Sequence, residues 1–362
     1  MKEESMSKKL TFQISHRYQS MRTGTVKVNG RQLATPAIVQ TGSALTTLTP
    51  AELKACGVQA IKQDALDYWR SAADYGDLHA LLGWSGVLVT AAGSEQAYRW
   101  AKPRGRKQDG VSFHDPDNGQ LRFYTPQDAL AEQKRLGADI SQGFARDAGY
   151  FAPVDDLNAA AEQNVRWLAG QPALAGNLAP IVGGGLLRVR RASLNAIPAA
   201  VAGYSIMGVA SNVPVKEQSR LVTEVVGMLD ETKLRYLPTA GDLHQLAAML
   251  LAGVDLLDSD LAGREAAMGN ALVGAERLHL DRERFASDQR PLADHCECPA
   301  CRIGVSRATV HHLLITEQPV GERYLLMHNL FTINQLVTRI RDMIAEGQVP
   351  AELRKFATPC DQ

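Results

Sequence analysis

The chain has 362 residues, of which 45% are hydrophobic and 22% are charged, close to the usage of ordinary soluble proteins. This length and composition exclude a wholly disordered chain and allow one large domain, alone or with an appendage. The 39 Lys and Arg residues balance the 39 Asp and Glu residues, which excludes a uniformly basic nucleic-acid-binding surface but not a local basic patch.

The first ten residues, MKEESMSKKL, are charged and lack the apolar segment of a secretory signal. No run of about 18 apolar residues occurs, so the sequence predicts no membrane-spanning helix and no membrane partner. Three of the five cysteines fall within residues 296–301, which indicates metal binding rather than a disulfide framework. These features together predict a cytoplasmic protein.

Short apolar runs alternate with amphipathic stretches through the first 280 residues. The runs are bounded by Gly, Pro or Asp and are often rich in Val and Ile, as is typical of buried parallel strands. The eight predicted strands are 37–41, 58–62, 86–90, 138–144, 178–182, 203–207, 235–238 and 254–258. This alternation predicts an α/β protein with a (β/α)8 TIM barrel over residues 1–280, and an open doubly wound sheet is the alternative.

Two of the predicted helices have a clear start, because Thr49 and Thr125 are good N-cap residues and each is followed by proline. The others are predicted over 159–169, 189–201, 216–229, 241–251 and 306–314. A last helix, predicted over 332–346, has one apolar face, so we expect a C-terminal segment, 331–362, that packs on the barrel.

A basic stretch interrupts the alternation near residues 99–119, and we predict an inserted loop after the third strand. The polar turn at 115–119 is compatible with a hairpin. Arg104, Arg106 and Lys107 are candidates for binding RNA phosphates, although a solvated loop explains the same charges equally well.

Cys296, Cys298 and Cys301 have C-x-C-x-x-C spacing, which allows three thiolates to bind one small cation. With a fourth ligand they would complete the closed tetrahedral site typical of structural Zn²⁺, in a subdomain predicted over 281–330. Free thiols or an iron–sulfur cluster are the alternatives. Spacing alone does not choose the fourth ligand among the candidates His295, His311, His312 and His328.

The region around these cysteines resembles the zinc subdomain of the tRNA-guanine transglycosylase (queuine tRNA-ribosyltransferase) family. The resemblance includes residues 306–308, 311–313 and 326–330, and it continues upstream through 48–53, 83–86, 136–140 and 253–258. It implies a (β/α)8 barrel that carries a zinc-binding insertion. It also implies that His328 is the fourth zinc ligand.

In that family, an aspartate at a strand end attacks the ribose of a tRNA nucleotide and guanine leaves. A 7-deazaguanine base then displaces the aspartate from the covalent ribosyl-enzyme. The resemblance implies that Asp258 is this nucleophile, with Asp260 as a close rival by position. It also implies that Arg264, in the following loop, contacts a phosphate.

Most base-recognition positions of the family are altered in this chain. Ala91 replaces an aspartate that assists proton transfer, and Glu95 replaces a stacking aromatic residue. The other replacements are Ala145, Gly183 and Met207. A pocket without polar partners cannot hold a polar purine by hydrogen bonds. The possible substitute carboxylates are Glu95, Asp64, Asp67 and Asp147.

Two functions are compatible with this pattern. The first is a divergent transglycosylase that acts on tRNA or another structured RNA and on a purine or 7-deazaguanine-like base. The second is a non-catalytic, zinc-containing accessory subunit that binds RNA or a catalytic partner, because residues 40–44 resemble the accessory subunit of the eukaryotic enzyme. In either case the family implies a homodimer or a heterodimer with a catalytic relative. A purine-sized cleft with a carboxylate opposite Asp258 would favour the enzyme.

Overall fold

The computed structural model describes residues 10–71, 73–170, 176–209, 213–239, 241–274 and 276–348. The strands are β1 (Thr11–Tyr18), β2 (Met21–Val28), β3 (Arg31–Thr35), β4 (Ala37–Gln40), β5 (Ala60–Asp64), β6 (Val87–Ala91), β7 (Val111–His114), β8 (Leu121–Tyr124), β9 (Ile140–Gln142), β10 (Asn177–Ile181), β11 (Gly203–Ile206), β12 (Leu234–Leu237), β13 (Leu256–Ser259), β14 (Asn270–Val273) and β15 (Glu276–His279). The α-helices are α1 (Ala44–Thr47), α2 (Pro50–Ala55), α3 (Ala65–Arg70), α4 (Leu78–Leu82), α5 (Ser94–Trp100), α6 (Pro126–Arg135), α7 (Val154–Ala169), α8 (Leu187–Asn195), α9 (Val215–Val226), α10 (Leu243–Leu251), α11 (Leu261–Ala267), α12 (Pro299–Arg302), α13 (Arg307–Ile315) and α14 (Pro319–Ala345).

Eight parallel strands form a closed barrel in which β13 pairs with β4. Each of the eight predicted strands overlaps one of them, so the barrel is confirmed over the open sheet. Strands such as β6 are buried along their whole length, which explains why they appear in the sequence as continuous apolar runs. The second barrel strand, β5, continues to Asp64, beyond the predicted end at residue 62. Its last residues are polar because they line a cleft, so they do not belong to an apolar run in the sequence.

The helix starts predicted at Thr49 and Thr125 are confirmed. Each threonine side chain accepts a hydrogen bond from the backbone three residues on, and each forms a complete capping box. The last helix, by contrast, begins at Pro319 rather than at residue 332. Residues 325–330 are buried without interruption, so this half of the helix has no amphipathic pattern in the sequence. The predicted boundary after residue 330 therefore lies inside one continuous helix, and residues 349–362 lie outside the described part.

An antiparallel sheet of β1, β2 and β3 covers the amino-terminal end of the barrel, and the sequence patterns did not predict it. Val26 and Leu33 pack against Leu178 and Leu256 of the barrel strands. Arg22 adds a buried ion pair with Asp255 at 2.5 Å. Because this end is closed, the carboxyl ends of the strands form the open face, where barrel active sites lie.

Helix α14 connects distant parts of the molecule. It packs against α11, α13 and the β1–β2 hairpin. Near its end, Arg341 donates a hydrogen bond to the carbonyl oxygen of Pro36 at 2.8 Å. Asn334 donates one to the carbonyl oxygen of Cys56 at 3.2 Å. None of the helices in the described ranges is both long and apolar enough to cross a bilayer.

The basic stretch lies between β6 and β9, after α5. It contains a 3-10 turn at Pro103–Gly105, followed by the antiparallel hairpin of β7 and β8. Arg70, from α3, forms ion pairs with Asp115 and Asp117 in the hairpin loop, each at 2.7 Å. These pairs attach the insertion to the barrel beside the carboxyl end of β5.

Candidate active site and metal centre

A cleft of about 540 Å³ opens at the carboxyl ends of β4, β5, β12 and β13. This volume lies in the range of small-molecule sites. Among the described residues, its lining contains one cationic side chain, Lys62, and four carboxylates. The carboxylates belong to Asp64, Asp67, Asp258 and Asp260. The cleft is therefore polar and strongly acidic.

Asp258 lies near the carboxyl end of β13 and is only 4% exposed. Its Oδ2 accepts a hydrogen bond from Lys62 Nζ, and its Oδ1 accepts one from the hydroxyl of Tyr236, both at 2.5 Å. Burial raises the pKa of Asp258, and the ammonium and hydroxyl groups oppose this shift. Each carboxylate oxygen keeps a free lone pair, so the group is oriented and still able to attack an electrophile.

Lys62 and Tyr236 were not among the predicted site residues. A charged residue at the end of a predicted buried strand was the available signal for Lys62, whereas Tyr236 resembles an ordinary core aromatic residue. Burial lowers the pKa of Lys62, but attraction to Asp258 and their hydrogen bond outweigh burial and leave the pKa raised. Lys62 is therefore a cation at neutral pH and forms an ion pair with Asp258.

Asp64 ends β5 and is partly buried in the same cleft. Its Oδ1 accepts a hydrogen bond from the backbone N–H of Leu66 at 3.1 Å, which caps helix α3. Burial, followed by repulsion from Asp67, raises the pKa of Asp64 to about 7, although Lys62 opposes the shift. A carboxyl group with this pKa can both give and accept a proton near neutral pH.

Asp260 and Arg264 lie together at the rim of the cleft, each with a side chain that is 45% exposed. Arg264 Nε donates to Asp260 Oδ1 at 2.8 Å, and the guanidinium also donates to the carbonyl oxygen of Gly241. The rival carboxylate is thus solvated and paired with an arginine, whereas Asp258 is buried. Of the two carboxylates, Asp258 is therefore the buried and hydrogen-bonded one, whereas Asp260 and Arg264 are half-exposed.

The other predicted carboxylates lie elsewhere. Glu95 is 76% exposed and forms an ion pair with Arg99 at 3.2 Å, outside the cleft lining formed by the described residues. Asp147 also lies outside that lining, and its carboxylate accepts a hydrogen bond from the backbone N–H of Gly149. Only Asp64 and Asp67 of the four possible substitutes share the cleft with Asp258.

Apart from the exposed Glu95, the altered base-recognition positions are apolar and buried. Ala145 and Met207 belong to one apolar cluster with Val182. Ala91 is 8% exposed, and neither it nor Gly183 contributes to the described cleft lining. The polar cleft therefore lies over β4, β5, β12 and β13, to one side of these positions.

The predicted RNA-binding residues of the insertion are all exposed. Arg104 lies in the 3-10 turn, and Arg106 and Lys107 follow it. The Arg106 guanidinium is 5.9 Å from the ring centroid of Tyr98. None of these three side chains lines the described cleft.

Cys296, Cys298, Cys301 and His328 form one cluster, and their ligand atoms all lie within 4.8 Å of one another. His328 Nδ1 is 3.5, 3.6 and 3.7 Å from the three Sγ atoms. Zn–S bonds of about 2.3 Å and a Zn–N bond of about 2.0 Å in a tetrahedron require S–N separations of about 3.5 Å. The donor set and its dimensions therefore fit structural zinc.

Of the four candidate histidines, His328 is the one that joins the three cysteines in this cluster. Its Nε2 lies 2.9 Å from the carbonyl oxygen of Leu272, and donation of this N–H leaves Nδ1 free for the metal. His311 instead bonds the carbonyl oxygen of Leu280 at 2.8 Å. With three thiolates and one imidazole the site has no open position, so the metal stabilises the fold.

Comparison with known proteins identifies the family. Residues 18–361 match the family model described as queuine tRNA-ribosyltransferase. The queuine tRNA-ribosyltransferase of Gloeobacter violaceus is 32% identical over 97% of this chain and 97% of its own. The queuine tRNA-ribosyltransferase of Thermus thermophilus is 31% identical over 96% of this chain and 93% of its own. That of Moorella thermoacetica is 30% identical over 94% of this chain and 95% of its own. The chain therefore belongs to the queuine tRNA-ribosyltransferase family, the tRNA-guanine transglycosylases.

Proposed function

We propose that this protein is a transglycosylase of the pentosyltransferase type that exchanges a purine-like base in tRNA or another structured RNA. The observation that carries the proposal is the position of Asp258. The family-matched aspartate is oriented by Lys62 and Tyr236 in an open cleft at the carboxyl end of a barrel strand.

In the proposed reaction, an oxygen of Asp258 attacks the ribose C1′ and forms a C1′–O bond. The C1′–N bond to the base breaks, its electron pair goes to the base, and the base takes up a proton. A second base then attacks C1′ and expels the Asp258 carboxylate. Lys62 stabilises the negative charge of that carboxylate before it attacks and after it leaves.

The protein would bind RNA through the basic residues around the cleft. Arg264 lies at the rim, and Arg104, Arg106 and Lys107 extend from the insertion, so these four residues are proposed phosphate contacts. The incoming base would be a purine or a 7-deazaguanine. We further propose a dimer, formed with a second copy or with a catalytic relative.

The accessory subunit is the second candidate, and one observation favours it. The family's base-recognition positions Ala145 and Met207 are packed in an apolar cluster, so they cannot hydrogen-bond a purine. Such a protein would bind RNA or a catalytic partner without exchanging the base itself.

One experiment separates the two candidates. Purified protein is incubated with radiolabelled guanine and bulk tRNA, alone and with any co-purified relative, and labelled tRNA and protein–RNA adducts are quantified on denaturing gels. Exchange by the protein alone supports the enzyme. Exchange only with the relative present, and no adduct on this chain, supports the accessory subunit and overturns the proposal.

A further inference from the structure

We infer that Asp64 exchanges the proton with the reacting base, in place of the aspartate that the family has at the position of Ala91. This inference rests on the proposed function, because it assigns the second carboxylate of the same reaction. Asp64 would be protonated when the base leaves and ionised when the new base arrives.

Asp64 on β5 and Ala91 on β6 are direct partners in the parallel ladder. Neighbouring strands lie about 4.8 Å apart, and paired residues point to the same side of the sheet. The carboxylate missing from Ala91 is therefore present at the same height of the barrel, one strand closer to the open cleft.

The loop that follows β6 packs against Asp64. Gly93 in this loop has a φ of +77°, and a Cβ added there would collide with Asp64 Oδ1. The hydroxyl of Tyr124 fixes the same loop by a 2.6 Å hydrogen bond to the carbonyl oxygen of Ala92. The loop therefore packs directly against the Asp64 carboxylate, and a side chain at position 93 would displace it.

The charges around Asp64 favour proton transfer. Lys62, two residues before Asp64 on β5, is hydrogen-bonded to Asp258 and also attracts Asp64, so one ammonium interacts electrostatically with both carboxylates. Asp67 on α3, Glu95 on α5 and Tyr124 on β8 also act on Asp64. Because burial and the two acidic neighbours outweigh Lys62, the pKa of Asp64 rises to about 7, which suits proton transfer.

The proton balance is complete. As the C1′–N bond breaks and its electron pair moves to the base, protonated Asp64 donates its proton to that base and becomes a carboxylate. The incoming base then loses its N–H proton to Asp64 as its nitrogen attacks C1′ and Asp258 leaves. No external acid or base is required.

The test compares Asp64→Asn with Asp77→Asn, the matched control, since Asp77 is also a helix N-cap but lies outside the cleft lining. Asparagine keeps both N-caps, so the fold should be preserved. We expect Asp64→Asn to lower the exchange rate with labelled guanine and tRNA by about 100-fold to 10,000-fold, and Asp77→Asn to leave it unchanged.

Two further measurements exclude a merely structural effect. In single-turnover assays, adduct formation by the wild type should slow as the pH rises through about 7, because the acid form of Asp64 is consumed, and this dependence should vanish in Asp64→Asn. Adding Ala91→Asp to Asp64→Asn should restore part of the rate. If the wild type is active and Asp64→Asn has the same rate and pH profile, only the inference about Asp64 is overturned. If the wild type is inactive, the proposed function is overturned.

Discussion

The hydroxyl of Tyr236, fully buried on β12, donates a 2.5 Å hydrogen bond to Asp258 Oδ1 on the adjacent strand β13. Burial, and then the neighbouring carboxylate, raise the pKa of Tyr236 well above its usual value, so the phenol stays protonated and remains a donor. With Lys62 on the other oxygen, Asp258 is held from two sides. This arrangement would pre-orient Asp258 for the proposed attack before any substrate binds.

We expect Asp258→Asn to abolish base exchange and RNA adduct formation while leaving the fold and the zinc intact. The amide is nearly isosteric with the carboxylate but is a far poorer nucleophile, so the barrier should rise by about 8 kcal/mol or more. Denaturing gels with labelled tRNA measure the adduct, and Asp260→Asn is the control that should keep it. Full activity in Asp258→Asn would transfer the assignment to Asp260.

Lys62→Met should shift the pH dependence of exchange to higher pH. Lys62 opposes the burial that raises the pKa of Asp258, so its removal should raise that pKa further. The attacking group must be ionised, and the rate of the variant at neutral pH should therefore fall and recover as the pH rises. Single-turnover rates between pH 5 and pH 9 measure this shift. The control Lys54→Met, outside the cleft, should behave like the wild type. A pH profile of Lys62→Met that superimposes on that of the wild type would contradict the prediction.

Cys298→Ala should release the metal and lower the free energy of unfolding by several kcal/mol, because zinc binding and folding are linked. Elemental analysis should give one zinc per wild-type chain and none in the variant. Cys56→Ala is the matched control, since Cys56 is also buried but lies outside the four-ligand cluster. Freshly purified wild type without zinc would refute the metal assignment.

Arg264→Ala should weaken RNA binding and reduce the slope of log affinity against log salt by about one unit, as expected when one phosphate contact is lost. Binding isotherms with tRNA at several salt concentrations measure the slope. Arg17→Ala, on strand β1 of the sheet that closes the opposite end of the barrel, is the control. Equal slopes for both variants would show that Arg264 contacts no phosphate.

Asp64→Asn should stabilise the protein relative to the wild type increasingly as the pH rises from about 4 to about 7. The folded protein retains the Asp64 proton up to a pKa of about 7, whereas the unfolded chain loses it near pH 4, so this group favours the folded state only at low pH. Urea unfolding of both proteins between pH 5 and pH 8 tests this expectation. Curves that stay parallel over this range would contradict the raised pKa.

The barrel could be predicted because its strands are buried on both sides and stand out as apolar runs, as β6 does. The polar end of β5 could not be predicted, since Lys62 and Asp64 line a cleft and interrupt the hydrophobic pattern. The sheet at the amino terminus was missed because β1 is mostly exposed.

The metal centre, too, could be predicted only in part from the sequence. The cysteine spacing indicated zinc, but only the family resemblance selected His328, because its partners lie about 30 residues away and meet through tertiary packing. The pairing of Asp64 with Ala91 depends on the ladder register, which no linear pattern reveals.

Helix α14 has 27 residues and is therefore about 40 Å long. It holds the zinc ligand His328 in its first half and the Arg341 contact to Pro36 near its end. We therefore expect a disturbance at the metal site to affect the β1–β2 hairpin, which packs on the same continuous helix. Chelation of the metal should loosen the β1–β2 hairpin and the cysteine region together. A shortened chain ending at residue 280 would lack α14 and expose the apolar surface on which this helix packs, so it should aggregate.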